Sequence, residues 1–138
     1  MLEGGLVTGP IELSLPAEAD LLFLVRLHVG AAASRIMTVE EIEDLQLAVM
    51  ELCMSLLDPH GGADGRLSIV FTSDDESIEV VCTLTGPGRP LEDGRNDGLS
   101  EPWSTRILDA LVDEHRTSIG EGSSLAWLRK KRAQVDRR

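Results

Sequence analysis

Glu51 and Ser55 stand four residues apart in a stretch, Leu45 to Leu57, that is otherwise almost wholly apolar. On a helix that spacing puts both side chains on one face. A carboxylate so placed can serve as a general base or line a ligand pocket, and a hydroxyl beside it can donate or accept. Further on, Gly86-Pro87-Gly88 opens a segment with four Gly and two Pro between positions 86 and 101. Such loops in a compact domain are usually functional or mobile. Pro102-Trp103-Ser104 follows at the expected start of a helix. Arg26 is a base inside the apolar run Leu21 to Ala33. His28, His60 and His115 are scattered and have no neighbouring Cys cluster, so no metal site is expected. Cys53 and Cys82 lie in apolar runs and read as small buried hydrophobes of a reducing compartment. No Ser-His-Asp pattern, phosphate-loop signature or paired-carboxylate motif is visible.

The elements that must position these residues are legible in outline. Residues 1–10 are rich in Gly, end in Pro and are expected to be flexible. Ile11, Leu13 and Leu15 alternate with polar residues and predict a strand ended by Pro16. Residues 18–34 predict a helix, with Glu18 and Asp20 at its positive end. Thr38 with Glu41 three residues on is a capping box, opening a helix to about Asp58 that should be buried on most faces. Leu67, Ile69 and Phe71, then Ile78 to Leu84, predict a hairpin turning at Asp74-Asp75. A third helix is expected from Pro102 or Trp103 to about Val112. A second hairpin should place Thr117 to Ile119 and Leu125 to Leu128 around Gly120-Glu121-Gly122. The order β-α-α-β-β-α-β-β implies an α/β (α+β) two-layer sandwich, a mostly antiparallel sheet with helices on one face.

The 138 residues suit a single domain, expected over 11–131, with a basic tail over 132–138. Net charge is −11, yet the last ten residues carry a local +5, leaving about −16 on the rest. That surface repels phosphate backbones, so direct nucleic-acid binding is not expected, and a basic partner is favoured. Aromatics make up only 3%, too few for base-stacking platforms. The longest apolar run is short for a membrane span and is interrupted by charge. The opening residues lack a basic stretch followed by a cleavage site, and a cytoplasmic protein with no membrane contact is expected.

Three segments together resemble the anti-sigma serine-protein kinases of the RsbW type, within the histidine-kinase and gyrase ATPase superfamily: IELSLPAEADLLFLVR, DLQLAVMELCMSLLD and RILDALVDEHR. The resemblance covers roughly residues 11–131. In its second segment Leu47, Ala48, Val49 and Glu51 keep step with the family's helix D-x-x-L-A-V-x-E-x-x-x-N. It implies a sequestered alternative sigma factor, an anti-anti-sigma antagonist that relieves it, and a homodimer. It also implies that Arg26 contacts these partners and that Glu51 matches the general base. The departures fall on the nucleotide pocket. Ser55 takes the place of the Mg²⁺-holding Asn. In the box D-x-G-x-G, Gly86 and Gly88 remain but Leu84 replaces the adenine-binding Asp. In the second glycine box, Pro102 and Ser104 replace the glycines whose amides cradle phosphate.

A Ser hydroxyl offers Mg²⁺ no carbonyl oxygen, and a Leu cannot accept a bond from adenine. Glu51 is then a relic of the base, and no cofactor is expected; ATP and Mg²⁺ enter only if the pocket is still competent. The function implied is an anti-sigma factor without kinase activity. The alternatives are an active ATP-dependent serine kinase acting on the antagonist, or a module of the same fold that binds a non-sigma partner.

Overall fold

A computed structural model describes residues 10–57, 65–86, 100–120 and 122–132, with the side chains of 100–104 outside that description. The N-terminal segment 1–9, His60, Gly88 and the tail beyond Arg132 lie outside the described residues. The chain runs β1 (Ile11–Pro16), a single 3-10 turn (Ala19–Leu21), α1 (Leu22–Ala33), α2 (Val39–Leu56), β2 (Arg66–Ser73), β3 (Ser77–Thr85), α3 (Ser100–Leu111), β4 (Glu114–Ser118) and β5 (Ser123–Lys131). The five strands form one sheet in the order β1-β2-β3-β5-β4, every neighbouring pair antiparallel. This is the α+β two-layer sandwich that the sequence predicts.

Period-two alternation decides which face of the sheet the helices cover. Leu67, Ile69 and Phe71 of β2, Ile78, Val80, Cys82 and Leu84 of β3, and Ala126 and Leu128 of β5 all point into one buried cluster. Leu22, Val25 and Val29 of α1, Leu45, Val49, Leu52 and Leu56 of α2, and Leu108 of α3 meet them there. The other face carries the intervening residues. On it the Trp127 indole donates to Glu79 Oε2 at 2.8 Å, and the Arg116 guanidinium lies 5.9 Å from the Trp127 ring centre.

The capping box forms as read. Thr38 Oγ1 accepts from the Glu41 amide at 3.1 Å, and Glu41 Oε1 accepts from the Thr38 amide at 2.9 Å. Replacing Thr38 by Ala orphans one helix-end donor and should cost about 1 kcal/mol in thermal or urea unfolding, with the fold kept.

Several boundaries move, each for a local reason. The helix expected over 18–34 is split. The Glu18 amide donates to the Pro16 carbonyl and the Leu21 amide to the Glu18 carbonyl, tightening the chain into the 3-10 turn before α1 starts at Leu22. Helix α3 opens at Ser100, ahead of Pro102, because a proline in the first turn lacks only an N–H that has no intrahelical partner. Strands β4 and β5 are longer than the apolar runs predict. Charged residues continue the ladder, with Arg129 opposite Glu79 and Glu114. The basic run therefore begins inside the sheet. Lys130 Nζ donates to the Leu111 carbonyl at the end of α3, and the Lys131 amide to Asp113 Oδ2. Helix α2 is less enclosed than its composition suggests. Leu47 is 56% exposed and Met54 50%, because no element among the described residues covers the outer side of the helical layer.

Cys53 of α2 and Cys82 of β3 face each other in the core, sulfur to sulfur at 3.7 Å, as free thiols. The Cys53 thiol beside it, and then burial, hold the Cys82 thiol well above the ordinary thiol range. The neutral pair packs as two small apolar groups. Iodoacetamide at mildly alkaline pH should label neither thiol in the native protein and both in denaturant, read by intact mass.

Candidate functional site

The residues singled out by chemistry sit along α2, the end of β3 and the start of α3. Helix α2 turns Leu45, Ala48, Leu52 and Leu56 toward the sheet. One flank meets α1, where Gln46 Nε2 donates to the Arg26 carbonyl at 3.0 Å. Gly30 permits this approach, since a Cβ there would stand 3.1 Å from Gln46 Nε2. By helical arithmetic Glu51 and Ser55 occupy the opposite flank, on the side left to α3, which also packs on α2. Both are half-buried. The Ser55 hydroxyl donates to the Leu52 carbonyl at 2.7 Å, three residues back on its own helix. Its proton is therefore used locally, a common arrangement for helical serines.

Leu84 is fully buried near the end of β3 and belongs to the core cluster. Its side chain lies 3.4 Å from where a Cβ on Gly65 would be, and the same Cβ would stand 2.6 Å from the Thr85 carbonyl oxygen. The start of β2 thus closes against the end of β3 so tightly that only glycine fits. Just beyond, Gly86 has φ of 105°, a conformation that L side chains rarely adopt, and its amide donates to the Gly122 carbonyl at 3.0 Å. Gly86 thereby ties the end of β3 to the β4–β5 turn. Gly88 lies outside the described residues.

Pro102 and Ser104 both fall within α3, in a helix that begins at Ser100. The Ser104 amide is therefore used by the Ser100 carbonyl, and Pro102 has no amide hydrogen. Arg26 lies in the middle of α1, and its side chain is exposed. It is on the α1 side of α2, away from the flank of Glu51 and Ser55. The structure brings Glu51 and Ser55 together and places Arg26 on a separate surface.

The two described histidines, His28 and His115, do not converge. His115 Nε2 is 2.7 Å from Asp109 Oδ1, and the His28 ring sits against Phe71 with centroids 5.3 Å apart. Among the described residues no group of three His, Cys, Asp or Glu is placed to hold a metal ion. No helix of the described residues is long and apolar enough to cross a membrane. The Gln46–Arg26 clamp was not legible in the sequence. Its only signal was a glutamine in an apolar helix facing a glycine in the preceding one.

No protein-family model matches the chain. Among curated proteins it is 33% identical over 148 residues to the serine-protein kinase RsbW of Bacillus pumilus, spanning 91% of this chain and 90% of that one. It is 28% identical to the protein of that name from Bacillus subtilis, over 84% of this chain and 82% of the relative. With the one from Halalkalibacterium halodurans the identity is 25%, over 93% and 88%. At the identity and coverage shared with the Bacillus pumilus protein, the chain belongs to the family of RsbW serine-protein kinases.

Proposed function

We propose that this protein is an anti-sigma factor that sequesters an alternative sigma factor by direct binding, is relieved by an anti-anti-sigma antagonist, and performs no phosphotransfer. Family membership over nearly the whole fold supports the partner class. The observation that carries the loss of kinase chemistry is Leu84, a fully buried apolar side chain where the family has the adenine-binding Asp. Ser55, with its proton given to the Leu52 carbonyl, and Pro102, without an N–H, point the same way. These residues do not fit Mg-ATP, and Glu51 as a base has no phosphoryl acceptor to activate. Control then rests on competing partner affinities, since a difference in binding free energy is enough to drive a partner switch.

The test is capture of the tagged protein from its own cells, with mass spectrometry of what it retains. One sigma factor in stoichiometric amount is the expected result. Recovery of other proteins and no sigma factor would move the function to a binding module with a different partner. The assembly we propose is a homodimer in the cytoplasm, and a monomer mass by light scattering would refute the dimer. The relatives' kinase name and the retained Glu51 favour one rival, an active serine kinase, which nucleotide calorimetry decides.

A further inference from the structure

The sequence contains only two cysteines, and the fold brings them together. Cys53 of α2 and Cys82 of β3 are 29 residues apart along the chain, yet their sulfurs stand 3.7 Å from each other. Both are free thiols and fully buried. A disulfide sets its sulfurs at about 2.05 Å, so closing this pair takes an approach of about 1.6 Å from the 3.7 Å observed. Small side-chain rotations supply that much where the two elements already touch. No third thiol competes, so a bridge within one chain can join only these two residues.

Such a bridge would run between the layers. Helix α2 packs on α1, α3 and β5, and Gln46 clamps it to α1. β3 is the middle strand of the sheet. A covalent link from α2 to β3 therefore ties the helical layer to the centre of the sheet, and it closes the chain around the whole of β2. We infer that Cys53 and Cys82 form a redox-closable staple between helical layer and sheet, open as the dithiol and closed by exchange with a small disulfide. In the first step one cysteine thiolate attacks a sulfur of the small disulfide. A mixed disulfide forms, the small S–S bond breaks and one small thiolate leaves. In the second step the other cysteine gives its proton to solvent and attacks the cysteine sulfur of the mixed disulfide. The Cys53–Cys82 bond forms and the second small thiolate leaves. The pair loses two electrons and two protons, and the small disulfide is reduced to two thiols.

The closed core gates this chemistry. A mixed disulfide has no room in an interior packed to full burial. The thiolate is the attacking species, and the Cys53 thiol, then burial, keep the Cys82 thiol neutral. Exchange therefore runs through openings that part α2 from β3, and the staple closes as the layers come back together. Two conditions must coincide: an oxidising pool of small thiols and a loosened helical layer. The inference holds whichever protein the chain binds.

The test is exposure of the reduced full chain to oxidised glutathione, with no urea and with urea just below the unfolding transition, followed by intact mass and peptide mapping. The expected product has lost two hydrogens, retains no glutathione and yields a linked Cys53–Cys82 peptide. It should form at least about tenfold faster in the urea sample, where openings are more frequent. With urea removed, the bridged protein should melt roughly 10 °C above the reduced one, because the link restricts the unfolded chain. Dithiothreitol should reverse both the mass and the melting temperature. Cys53→Ala should show neither the internal bridge nor the rise. No bridge, a stable glutathione adduct in its place, a bridge between two chains, or a bridged protein that melts no higher than the reduced one would each overturn the inference. A rate unaffected by urea would overturn the gate, and with it the coincidence on which the device depends.

Discussion

Calorimetric titration with millimolar Mg-ATP is expected to give no binding heat, and incubation with labelled ATP and the purified antagonist no phosphoserine. A micromolar nucleotide site needs about 8 kcal/mol of binding free energy, and each hydrogen bond to a charged group supplies roughly 1.5–3 kcal/mol of it. The family's pocket draws on the Asp that reads adenine, the Asn that orients Mg²⁺ and the amides that cradle phosphate. Here those positions are a core leucine, a serine donating to its own helix, and two residues inside the first turns of α3. Loss of all three such contacts, about 4.5–9 kcal/mol, carries a micromolar site to millimolar or weaker. Magnesium-dependent binding at about 10 µM or tighter, with transfer to the antagonist, would restore the kinase reading and overturn the proposed mode of control.

The Leu84→Asp substitution, which would formally reinstate the family's adenine ligand, is expected to unfold the protein rather than to revive nucleotide binding. Leu84 is fully buried among Leu67, Cys82 and their neighbours, and the backbone of Gly65 and Thr85 closes over it. Removing the leucine side chain alone costs about 2–5 kcal/mol in such a setting. A carboxylate adds a desolvation penalty of several kcal/mol unless it is protonated or paired, against a total stability of about 5–15 kcal/mol for a domain. The melting temperature should fall by roughly 10 °C or more, or the chain should accumulate insoluble. The control is Leu84→Met, which keeps volume and apolarity and should melt within a few degrees of the parent. A folded Leu84→Asp variant that binds ATP would mean that a competent pocket lies next to this position, with the leucine as its only defect.

These two experiments address different levels of one history. The first asks whether the chemistry is absent. The second asks whether the protein has rebuilt its core around that absence. A leucine merely occupying an open pocket would be replaceable at little cost, whereas one packed to full burial has become part of what holds β2, β3 and the helical layer together.

The elements and their order were legible in the sequence because local physics writes them there. Alternation of Leu67, Ile69 and Phe71 with polar neighbours can satisfy one buried sheet face in a single register, and the Thr38–Glu41 pair can cap a helix at a single place. The family was legible too, since its helix pattern is a set of residue types at fixed spacing. The ends of β4 and β5 were not. Their charged residues break the apolar pattern, and the ladder to β3 together with contacts to Leu111 and Asp113 holds them as strand.

Burial around α2 departs from what composition suggests for a related reason. Composition reports that Leu47 and Met54 are apolar, but only the packing of the described elements determines that both are about half exposed. The clamp from Gln46 to the Arg26 carbonyl joins residues twenty apart and leaves no local signature. The sequence by itself determined the strands, the helices and their order. Tertiary structure alone decided how tightly Gly65 and Thr85 close on Leu84, that α3 begins at Ser100, and that Leu47 and Met54 stand exposed. Hydrogen-bonding pattern and hydrophobic period act over a few residues, while exposure depends on which distant segments arrive to cover them.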